Sequence, residues 1–396
     1  MHRTITEVPE APNYPPVQQL TYLKKETLEW REVPAPRLRA PDDAIVRPFA
    51  AARCDLDCAF LFANLSLPIR LGVAAHFLDP AALDSLGKRP FRGPFPFGHE
   101  CVAEVTEVGP DVKAYQRGDR VIVPFQVSCG RFLTCWQGLT ARCQTHDETP
   151  ISAYGFGTAT GAWGGAVSEA VRVPHADELL VRLPAGVDPV ALASASDNLP
   201  DGYRAVAPAL AERPGAHVLV VGGRAQSVGM YAVACALALG AASVDYVDHV
   251  ADRLDLAERL GARPIRATSG SRWYKRAAPP RPGGYPVTVD ASSAEPGLRF
   301  AIGALAPGGI CTSVGFYFRR GTPLPLWRMY LNGSTLRTGL ANVRADLPDV
   351  LALVTSGRLD PAAVTTLRAP WAEAPRALLE RTTKVVLERA PLFGAA

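Results

Sequence analysis

Three short segments that lie far apart in the chain carry the residue types of a catalytic metal site. Cys54 stands in Cys-Asp-Leu-Asp, His99 in Gly-His-Glu, and Asp197 in Ser-Asp-Asn. A thiolate, an imidazole and a carboxylate can hold Zn²⁺ and leave its fourth position open for water or a substrate oxygen. These three residues therefore suit a catalytic zinc that acts as a Lewis acid.

Two further carboxylates stand beside these residues. Asp57 lies three residues after Cys54, where its side chain can accept the second ring N–H of a ligand histidine and fix the tautomer of the ring. Glu100 follows His99 directly and can approach the metal in one state of the site. The predicted catalytic residues are Cys54, Asp57, His99, Glu100 and Asp197.

A second chemical pattern follows the apolar run from 217 to 221, where a glycine-bearing turn leads into an apolar helix. In such a unit glycines let the backbone approach a pyrophosphate, whose charge lies at the helix N-terminus. The turn, Gly222-Gly-Arg-Ala-Gln-Ser-Val-Gly229, departs from the strict G-x-G-x-x-G spacing. Asp248 ends the next strand, where it can accept hydrogen bonds from ribose hydroxyls and repel a 2′-phosphate. The repulsion of a 2′-phosphate favours NAD over NADP. The simpler interpretation is a βαβ unit that binds no dinucleotide and has a tight turn and a solvent-facing Asp.

Gly315 and Phe316 follow a later strand of the same kind, whose carboxyl end should face the nicotinamide. Backbone groups there are expected to orient the carboxamide of the cofactor. The residues predicted to bind NAD are Gly222, Gly223, Ser227, Val228, Gly229, Asp248, Arg253, Gly315 and Phe316.

Two kinds of element position these residues. From about residue 19 to 185, short β-rich stretches are broken by Gly and Pro, which predicts a compact, barrel-like β domain. From about 197, buried strands alternate with helices, which predicts a doubly wound α/β domain. The expected strands of this second domain are 217–221, 243–248, 286–290 and 310–315, and its helices are 228–239 and 252–260. Residues 342–396 hold a helix and a β-like run at 383–387 that can return to the first domain.

Length and composition agree with a two-domain globular protein. The chain has 396 residues, of which 48% are hydrophobic and 20% charged, so a disordered chain is excluded. The formal net charge of +4 is spread in short basic pairs, which predicts no nucleic-acid partner. The absence of a signal peptide or a membrane-length apolar run predicts a cytoplasmic protein. Clustering of Cys129, Cys135 and Cys143 among eight cysteines favours metal ligation or free thiols over disulfides.

Taken together, these motifs resemble the medium-chain, zinc-dependent alcohol dehydrogenase family, and especially its formaldehyde-dehydrogenase-like subgroup. The resemblance is carried by 54–57, 98–100, Gly118-Asp-Arg-Val121, the cysteine lobe at 129–143, Ser196-Asp-Asn-Leu-Pro-Asp-Gly-Tyr203, the nucleotide turn and Ala306-Pro-Gly-Gly-Ile310. It implies zinc held by Cys54, His99 and Asp197, and hydride transfer between NAD(H) and an alcohol, aldehyde or ketone. A small-molecule substrate and a homodimer or homotetramer are further implications.

The resemblance also implies an α/β architecture of two domains. A GroES-like, β-rich catalytic domain is expected at 1–196, with an insertion at about 61–91. A Rossmann domain with a doubly wound parallel sheet is expected at 197–341. The C-terminal segment, 342–396, is expected to return to the catalytic domain, with Lys384 on its surface.

One departure from the family pattern concerns the proton. Leu56 stands where the family usually has a Ser or Thr that begins the proton relay, and Ala59 stands near the position of a later relay histidine. Either Asp57, Glu100, a water chain or His76 takes over, or the reaction needs no relayed proton. Asp55 stands where some members place a basic residue near the pyrophosphate, which weakens a phosphate-binding role for this segment.

Another departure is the cysteine lobe. Cys129, Cys135 and Cys143 match three of the four family cysteines, and Phe132 stands at the remaining position. Three thiolates leave a tetrahedral structural site incomplete, although His146 or Asp147 is able to supply a fourth ligand. We expect an empty lobe with Phe132 packed into the space.

The segment between Cys54 and His99 is about twice as long as the family pattern implies. Its extra residues, about 61–91, include a helix expected at 74–86. A lid on the substrate side is favoured over an oligomer interface or a surface decoration, since long ordered loops are often functional. The segments Tyr154-Gly-Phe-Gly157 and Trp163-Gly-Gly165 are further candidates for substrate contact, although aromatic residues there are equally often part of the core.

Two alternative functions remain open from the sequence. Because Leu56 lacks a hydroxyl, the chain is also compatible with reduction of a conjugated C=C or an iminium by NAD(P)H. The other alternative is a non-catalytic sensor of NAD(H) that keeps the scaffold.

Overall fold

The computed structural model describes residues 15–146, 149–268, 274 and 279–394, and these residues form a β-rich domain and a parallel-sheet domain. The strands are β1 (Val17–Lys24), β2 (Thr27–Val33), β3 (Ala44–Ala52), β4 (Phe95–Pro96), β5 (Glu100–Val108), β6 (Arg120–Ile122), β7 (Val171–Val173), β8 (Val181–Arg182), β9 (His217–Val221), β10 (Ser243–Asp248), β11 (Arg263–Arg266), β12 (Tyr285–Asp290), β13 (Leu305–Ser313), β14 (Thr335–Thr338), β15 (Leu367–Pro370) and β16 (Val385–Glu388).

The α-helices are α1 (Asp55–Phe62), α2 (Ser66–Ala74), α3 (Ala81–Leu86), α4 (Leu133–Trp136), α5 (Ala176–Leu179), α6 (Asn198–Glu212), α7 (Gln226–Ala238), α8 (Ala251–Arg259), α9 (Glu295–Gly303), α10 (Leu326–Asn332), α11 (Val343–Thr355) and α12 (Ala374–Ala377). Short 3₁₀ helices include Gly157–Thr160 and Pro189–Ser196.

The second domain is a six-stranded parallel sheet in the order β11-β10-β9-β12-β13-β14. Its central strand β9 is an apolar run because helices cover both faces of a doubly wound sheet, and Val218, Leu219, Val220 and Val221 are fully buried. This architecture confirms the predicted α/β class with a doubly wound parallel sheet. The edge strands β11 and β14 had not been predicted, since each has only four residues and contains at least one arginine.

The first domain has a three-stranded sheet, β2-β1-β4, and a larger sheet in the order β15-β16-β3-β5-β6-β8, with β7 also paired to β3. The C-terminal strand β16 pairs antiparallel with β3, and Val386 lies opposite Ala52. On the other side of β3, Ala52 lies opposite Glu100 of β5. This register brings the end of β3, the start of β5 and the last strand of the chain to one place.

Helix α6 joins the two domains and was missed in the sequence. Pro200, Gly202 and Pro208 interrupt its pattern. Pro200 is tolerated because it lies in the first turn, where no N–H is required within the helix. Gly202 permits close packing on α7, because a Cβ at this position would lie 2.5 Å from Cβ of Tyr231. Pro200 and Gly202 are therefore compatible with a packed helix.

Among the described residues, no single helix has the length and apolar character of a membrane span. The adjacent helices α1 and α2, which meet at a bend of 90°, satisfy that criterion only as a pair, by length and composition.

Candidate metal centre and nucleotide site

Cys54 and His99 are placed by the ends of two paired strands. Cys54 follows β3 and is the N-cap of α1, and its backbone N donates to Oδ2 of Asp57 at 3.0 Å in a capping box. His99 precedes β5. Gly98 before it has a φ of +90°, and a Cβ there would lie 2.6 Å from a methyl of Val167, so glycine is needed to bring the histidine inward.

Asp197 comes from the junction between the domains. It lies between the 3₁₀ helix Pro189–Ser196 and α6, whose N-cap it forms. The oxygen Oδ2 of Asp197 is 3.2 Å from Nε2 of His99. Asn198 donates from Nδ2 to this oxygen at 3.0 Å and to Sγ of Cys54 at 3.2 Å. One amide thereby fixes the distance between two candidate ligands.

The four candidate ligands converge on one point. One donor atom from each of Cys54, His99, Glu100 and Asp197 lies within 4.8 Å of the others, and all four residues are buried. On the far side of the ring, Nδ1 of His99 faces Oδ1 of Asp57 at 3.6 Å. The geometry therefore brings together every residue predicted to act in catalysis.

The donor set fits a zinc ion. Oε1 of Glu100 is buried without a hydrogen-bond partner among the described residues. The concentration of buried acids around Cys54 calls for a positive charge, and a sulfur, nitrogen and oxygen set is typical of zinc. Burial, and then Asp197, Asp57 and Glu100, raise the pKa of the Cys54 thiol well above its ordinary value in the absence of a metal.

The two other ionisable groups of the centre respond to the same charges. Burial alone would lower the pKa of His99, but the carboxylates of Asp57 and Asp197 outweigh burial and raise it. Burial raises the pKa of Glu100, and Lys384 partly offsets this effect. A zinc ion bound here would replace those protons with metal charge.

Lys384 lies inside the protein, so the prediction of a surface position was wrong. Its side chain is fully buried, and Nζ donates to Glu100 Oε2 at 2.7 Å, Asn198 Oδ1 at 2.9 Å and Arg53 O at 2.9 Å. The sequence did not reveal this, because Lys384 directly precedes the apolar strand β16 and a lysine at such a position is usually exposed. Lys384 links the last strand to both sides of the metal centre.

A cavity of about 120 Å³ opens beside Cys54 and Asp197. Its walls are mainly apolar and come from both domains. They include Leu56, Leu86, Phe91, Phe125, Phe156, Ile151, Val228, Val314 and Phe316. Phe156 thus reaches the cavity as predicted from its segment, whereas Trp163 lies elsewhere, beside Arg172.

Leu56 lines this cavity, so the wall has a methyl-bearing side chain where the family pattern has a hydroxyl. His76, a candidate to replace the missing relay hydroxyl, does not line the cavity. Asp201 lines the cavity as well. No role had been predicted for it, although it lies in the Ser196–Tyr203 segment that carries the family resemblance. Burial raises the pKa of Asp201 to about 6, with Arg204 acting in the opposite direction.

The insertion at about 61–91 lies across the cleft between the domains. Two helices, α2 and α3, replace the single helix expected at 74–86. Leu78 and Arg319 form a bridge to the loop after β13, with Asp79 N donating to Phe318 O at 2.8 Å. Ser85 and Leu86 at the other end line the cavity.

The nucleotide turn joins β9 to α7. Ser227 N and Val228 N, at the start of α7, donate to the carboxylate of Asp55 rather than facing an open groove. A Cβ at Gly222 would lie 2.3 Å from Oη of Tyr246, and one at Gly223 would lie 2.5 Å from Cα of Ser292. Both glycines are therefore required by packing inside the domain.

Asp248 is buried at the end of β10. Arg253 donates to both of its oxygens, from Nε at 2.8 Å and from Nη2 at 2.9 Å, and Tyr246 donates to Oδ2 at 2.9 Å. Burial would raise the pKa of Asp248, but these donors outweigh it and lower the pKa. The Asp248 carboxylate is charged, buried and hydrogen-bonded, so it is not the solvent-facing Asp that a plain βαβ unit would have.

The remaining predicted cofactor residues lie at the carboxyl edge of the parallel sheet. Gly229 of α7 packs against Ala291, because a Cβ there would be 3.2 Å from the alanine Cβ. Phe316 projects beside the cavity and is 48% exposed. Its backbone N donates to Oγ of Ser293 at 3.3 Å, and Gly315 N donates to Oγ of Ser313 at 3.4 Å.

The cysteine lobe brings three thiols together. The sulfur atoms of Cys129, Cys135 and Cys143 lie within 4.8 Å of one another, and the hydroxyl of Thr145 donates to Sγ of Cys129 at 2.8 Å. Phe132 is 42% exposed, so the prediction that it packs into this space was wrong. The side chain of His146 and all of Asp147 lie outside the described residues.

The chain is similar to known zinc-binding dehydrogenases. A family model described as the alcohol dehydrogenase GroES-like domain matches residues 40–185, and one described as zinc-binding dehydrogenase matches residues 227–356. A probable zinc-binding alcohol dehydrogenase of Mycobacterium tuberculosis is 30% identical over 345 residues, which is 86% of this chain and 79% of that protein.

Two more similarities cover different extents of the chain. A glutathione-independent formaldehyde dehydrogenase of Pseudomonas aeruginosa is 39% identical over 169 residues, which is 41% of each chain. The solved structure of an alcohol dehydrogenase from Thermus sp. ATN1 matches with a TM-score of 0.76 and 31% identity, covering 94% of this chain and 99% of its own.

Proposed function

This chain belongs to the zinc-dependent, medium-chain alcohol dehydrogenase family, and we propose that it transfers a hydride between a nicotinamide dinucleotide and an alcohol, aldehyde or ketone. The predicted family and the GroES-like plus Rossmann architecture are thereby confirmed. Membership of this family favours neither the reduction of a conjugated C=C or an iminium nor a non-catalytic sensor of NAD(H).

The observation that carries the proposal is the convergence of Cys54, His99 and Asp197 beside a cavity that both domains line. We assign these three residues to the zinc, with Glu100 as a further donor. When bound, the zinc supplies Lewis acidity toward a substrate oxygen, and the dinucleotide supplies or accepts the hydride. The apolar walls favour an uncharged substrate and limit the access of water.

The surrounding residues have positioning roles in this proposal. Asp57 accepts the Nδ1 proton of His99 once the other ring nitrogen is a ligand, which fixes the tautomer. Asn198 holds Cys54 and Asp197 at their spacing, and Lys384 holds Asn198 and Glu100. We also propose that NAD is preferred over NADP, because Asp248 ends β10, where the ribose of a dinucleotide is expected and a 2′-phosphate would meet a like charge.

The first experiment measures zinc per chain and alcohol oxidation with NAD across a panel of uncharged primary and secondary alcohols. We expect one zinc per chain and turnover of at least one member. Cys54→Ser should lower zinc to below about a tenth of an equivalent, because only two strong ligands and Glu100 remain. Cys58→Ser is the matched control, since it removes a thiol one turn along α1 outside the ligand group.

Cys135→Ser completes this experiment. With three thiols and no fourth ligand among the described residues, we propose that the lobe is not a zinc site, and this variant should keep one zinc per chain. Two zincs in the unaltered protein, reduced to one by Cys135→Ser, would contradict the single-zinc assignment. Retention of zinc by Cys54→Ser would contradict the catalytic ligand set.

We also propose that the chain forms a homodimer or homotetramer through the Rossmann domain. Helix α10 carries Leu326, Trp327, Tyr330 and Leu331 with 65–76% of each side chain exposed. The following strand, β14, is the edge of the parallel sheet. An apolar helix next to an unpaired edge strand is a typical interface for a second copy.

A further inference from the structure

Asp55 lies on the N-terminus of α7, in the other domain. Ser227 N donates to its two carboxylate oxygens at 3.0 and 2.9 Å, Ser227 Oγ donates to Oδ1 at 2.8 Å, and Val228 N donates to Oδ2 at 3.0 Å. The residue is 9% exposed. Both oxygens of Asp55 are therefore satisfied by donors that the Rossmann domain supplies.

These donors have an expected use in a dinucleotide-binding domain. The first amides of the helix that follows the first strand of the sheet point at the pyrophosphate, whose negative charge lies on the helix N-terminus. In this chain the strand is β9 and the helix is α7, so the amides concerned are those of Ser227 and Val228. A carboxylate that accepts from both of them stands where a phosphate group is expected.

We propose that Asp55 is an internal occupant of the pyrophosphate seat, which a nicotinamide dinucleotide must displace in order to bind. The inference rests on the proposed function for the identity of the ligand. Two anions cannot share the same amide donors, and a phosphate beside an unmoved Asp55 would meet a like charge. Asp55 therefore weakens dinucleotide affinity, and it ties α1 to α7 while the seat holds no cofactor.

The surroundings supply both a route for the cofactor and a reason why binding remains favourable. A cavity of about 600 Å³ lies outside the seat, between α1, α7, α8 and the segment before β16. Four arginines line it, namely Arg53, Arg253, Arg259 and Arg381, and they outnumber its two acids, Asp252 and Asp255. Their positive charge attracts a pyrophosphate, whereas the seat itself begins with a negative charge. The arginines strengthen dinucleotide binding and Asp55 weakens it, so the affinity depends on how much Asp55 opposes the arginines.

The contact also joins three parts of the chain. Oγ of Ser227 lies 3.0 Å from the carbonyl oxygen of Thr383, which precedes Lys384 and β16. Removal of Asp55 thus leaves Ser227 attached to the C-terminal segment. The seat can open without loss of every interdomain hydrogen bond, so variants at Asp55 are expected to fold.

The test measures NADH affinity of the zinc-loaded, full-length protein by fluorescence titration. Asp55→Asn removes the charge at similar size, and Asp55→Ser removes both the charge and the carboxylate from the seat. We expect each variant to bind NADH about tenfold more tightly than the unaltered protein. Glu258→Gln is the matched control, because it removes one charge from an exposed position of α8 that does not line this cavity, and its affinity should change less than about twofold.

A second readout separates displacement from a merely structural role. NADH should raise the Tm of Asp55→Ser more than that of the unaltered protein, because tighter binding to the folded state gives a larger stabilisation. Equal or weaker NADH binding by both Asp55 variants, including the absence of any binding, would overturn the inference. Failure of the proposed function has another signature, namely that the Asp55 variants gain NADH affinity while no protein oxidises any alcohol of the panel.

Discussion

At the level of single residues, Lys384 decides how the buried acids next to the metal centre are tolerated. Glu100 and Lys384 are both fully buried, and their charged atoms are 2.7 Å apart. Burial alone would lower the pKa of Lys384, but the carboxylate of Glu100 outweighs burial and raises it. Removing one partner of such a pair leaves an uncompensated charge in the interior.

We therefore expect Lys384→Met to lower the free energy of unfolding by about 3–5 kcal/mol, measured by urea denaturation of the metal-free protein. The double variant Glu100→Gln with Lys384→Met should recover a large part of that loss, because the unpaired carboxylate is gone. Lys113→Met, at an exposed lysine, serves as the control. A loss equal in the single and double variants would show that Lys384 acts through packing alone.

Leu56 determines that the proton of a substrate hydroxyl cannot leave by the usual relay of the family. The structure places it in the wall of the cavity beside Cys54, so no hydroxyl begins a relay at that position. Asp201 and Thr160 are polar groups on other parts of the wall. The proton of a substrate hydroxyl would have to leave along a different side of the cavity from the one that the family pattern uses.

At the level of elements, strands and metal ligands could be predicted from the sequence wherever they lie in a recognisable local pattern. The run 217–221 is apolar throughout because it is buried on both faces, and the strand β9 has the same bounds. Cys54 and His99 were found because each stands in a recognisable short motif. Lys384 was missed because its meaning depends on Glu100, almost three hundred residues away in the chain, and local patterns contain no such contact.

The same reasoning explains the errors in the insertion and in the cysteine lobe. The expected helix at 74–86 is broken at 75–80, where backbone groups pair with 318–320 of the other domain. Phe132 is apolar and was expected inside, but its environment is set by how the lobe folds as a whole. Tertiary contacts override local preference at both places.

The insertion gives a prediction for substrate binding. Leu86 at the end of α3 lines the cavity, and α3 packs on the 3₁₀ helix Gly157–Thr160. Leu86→Ala removes apolar contact with the substrate, so KM should rise about five- to tenfold with a small change in kcat, as expected for loss of about 1–1.4 kcal/mol of uniform binding.

Steady-state kinetics with the best alcohol of the panel would measure this effect. Leu67→Ala is a suitable control, since Leu67 lies on α2 in the same insertion with 58% of its side chain exposed. An unchanged KM in Leu86→Ala would mean that the insertion does not form part of the substrate site. An equal rise in the control would point to general loosening of the insertion instead.

At the level of the whole molecule, the metal centre depends on both domains within one chain. Cys54 and His99 come from the β-rich domain and Asp197 from the junction, and Lys384 directly precedes β16, the strand that returns to the first sheet. The donor atoms of the four candidate ligands come together without a contribution from a second copy. We therefore predict that zinc binding does not require association of chains.

That separation makes the proposed oligomer testable. Leu331→Asp places a charge in the exposed apolar face of α10, so we expect the dimer or tetramer to dissociate to a monomer in light scattering. Because the ligands belong to one chain, the monomer should still hold one zinc. Phe77→Asp, at a residue of the insertion that is 69% exposed, controls for a charge introduced elsewhere on the surface. If Leu331→Asp stays oligomeric, α10 is not the interface, and if it loses zinc as it dissociates, the metal centre depends on the second copy after all.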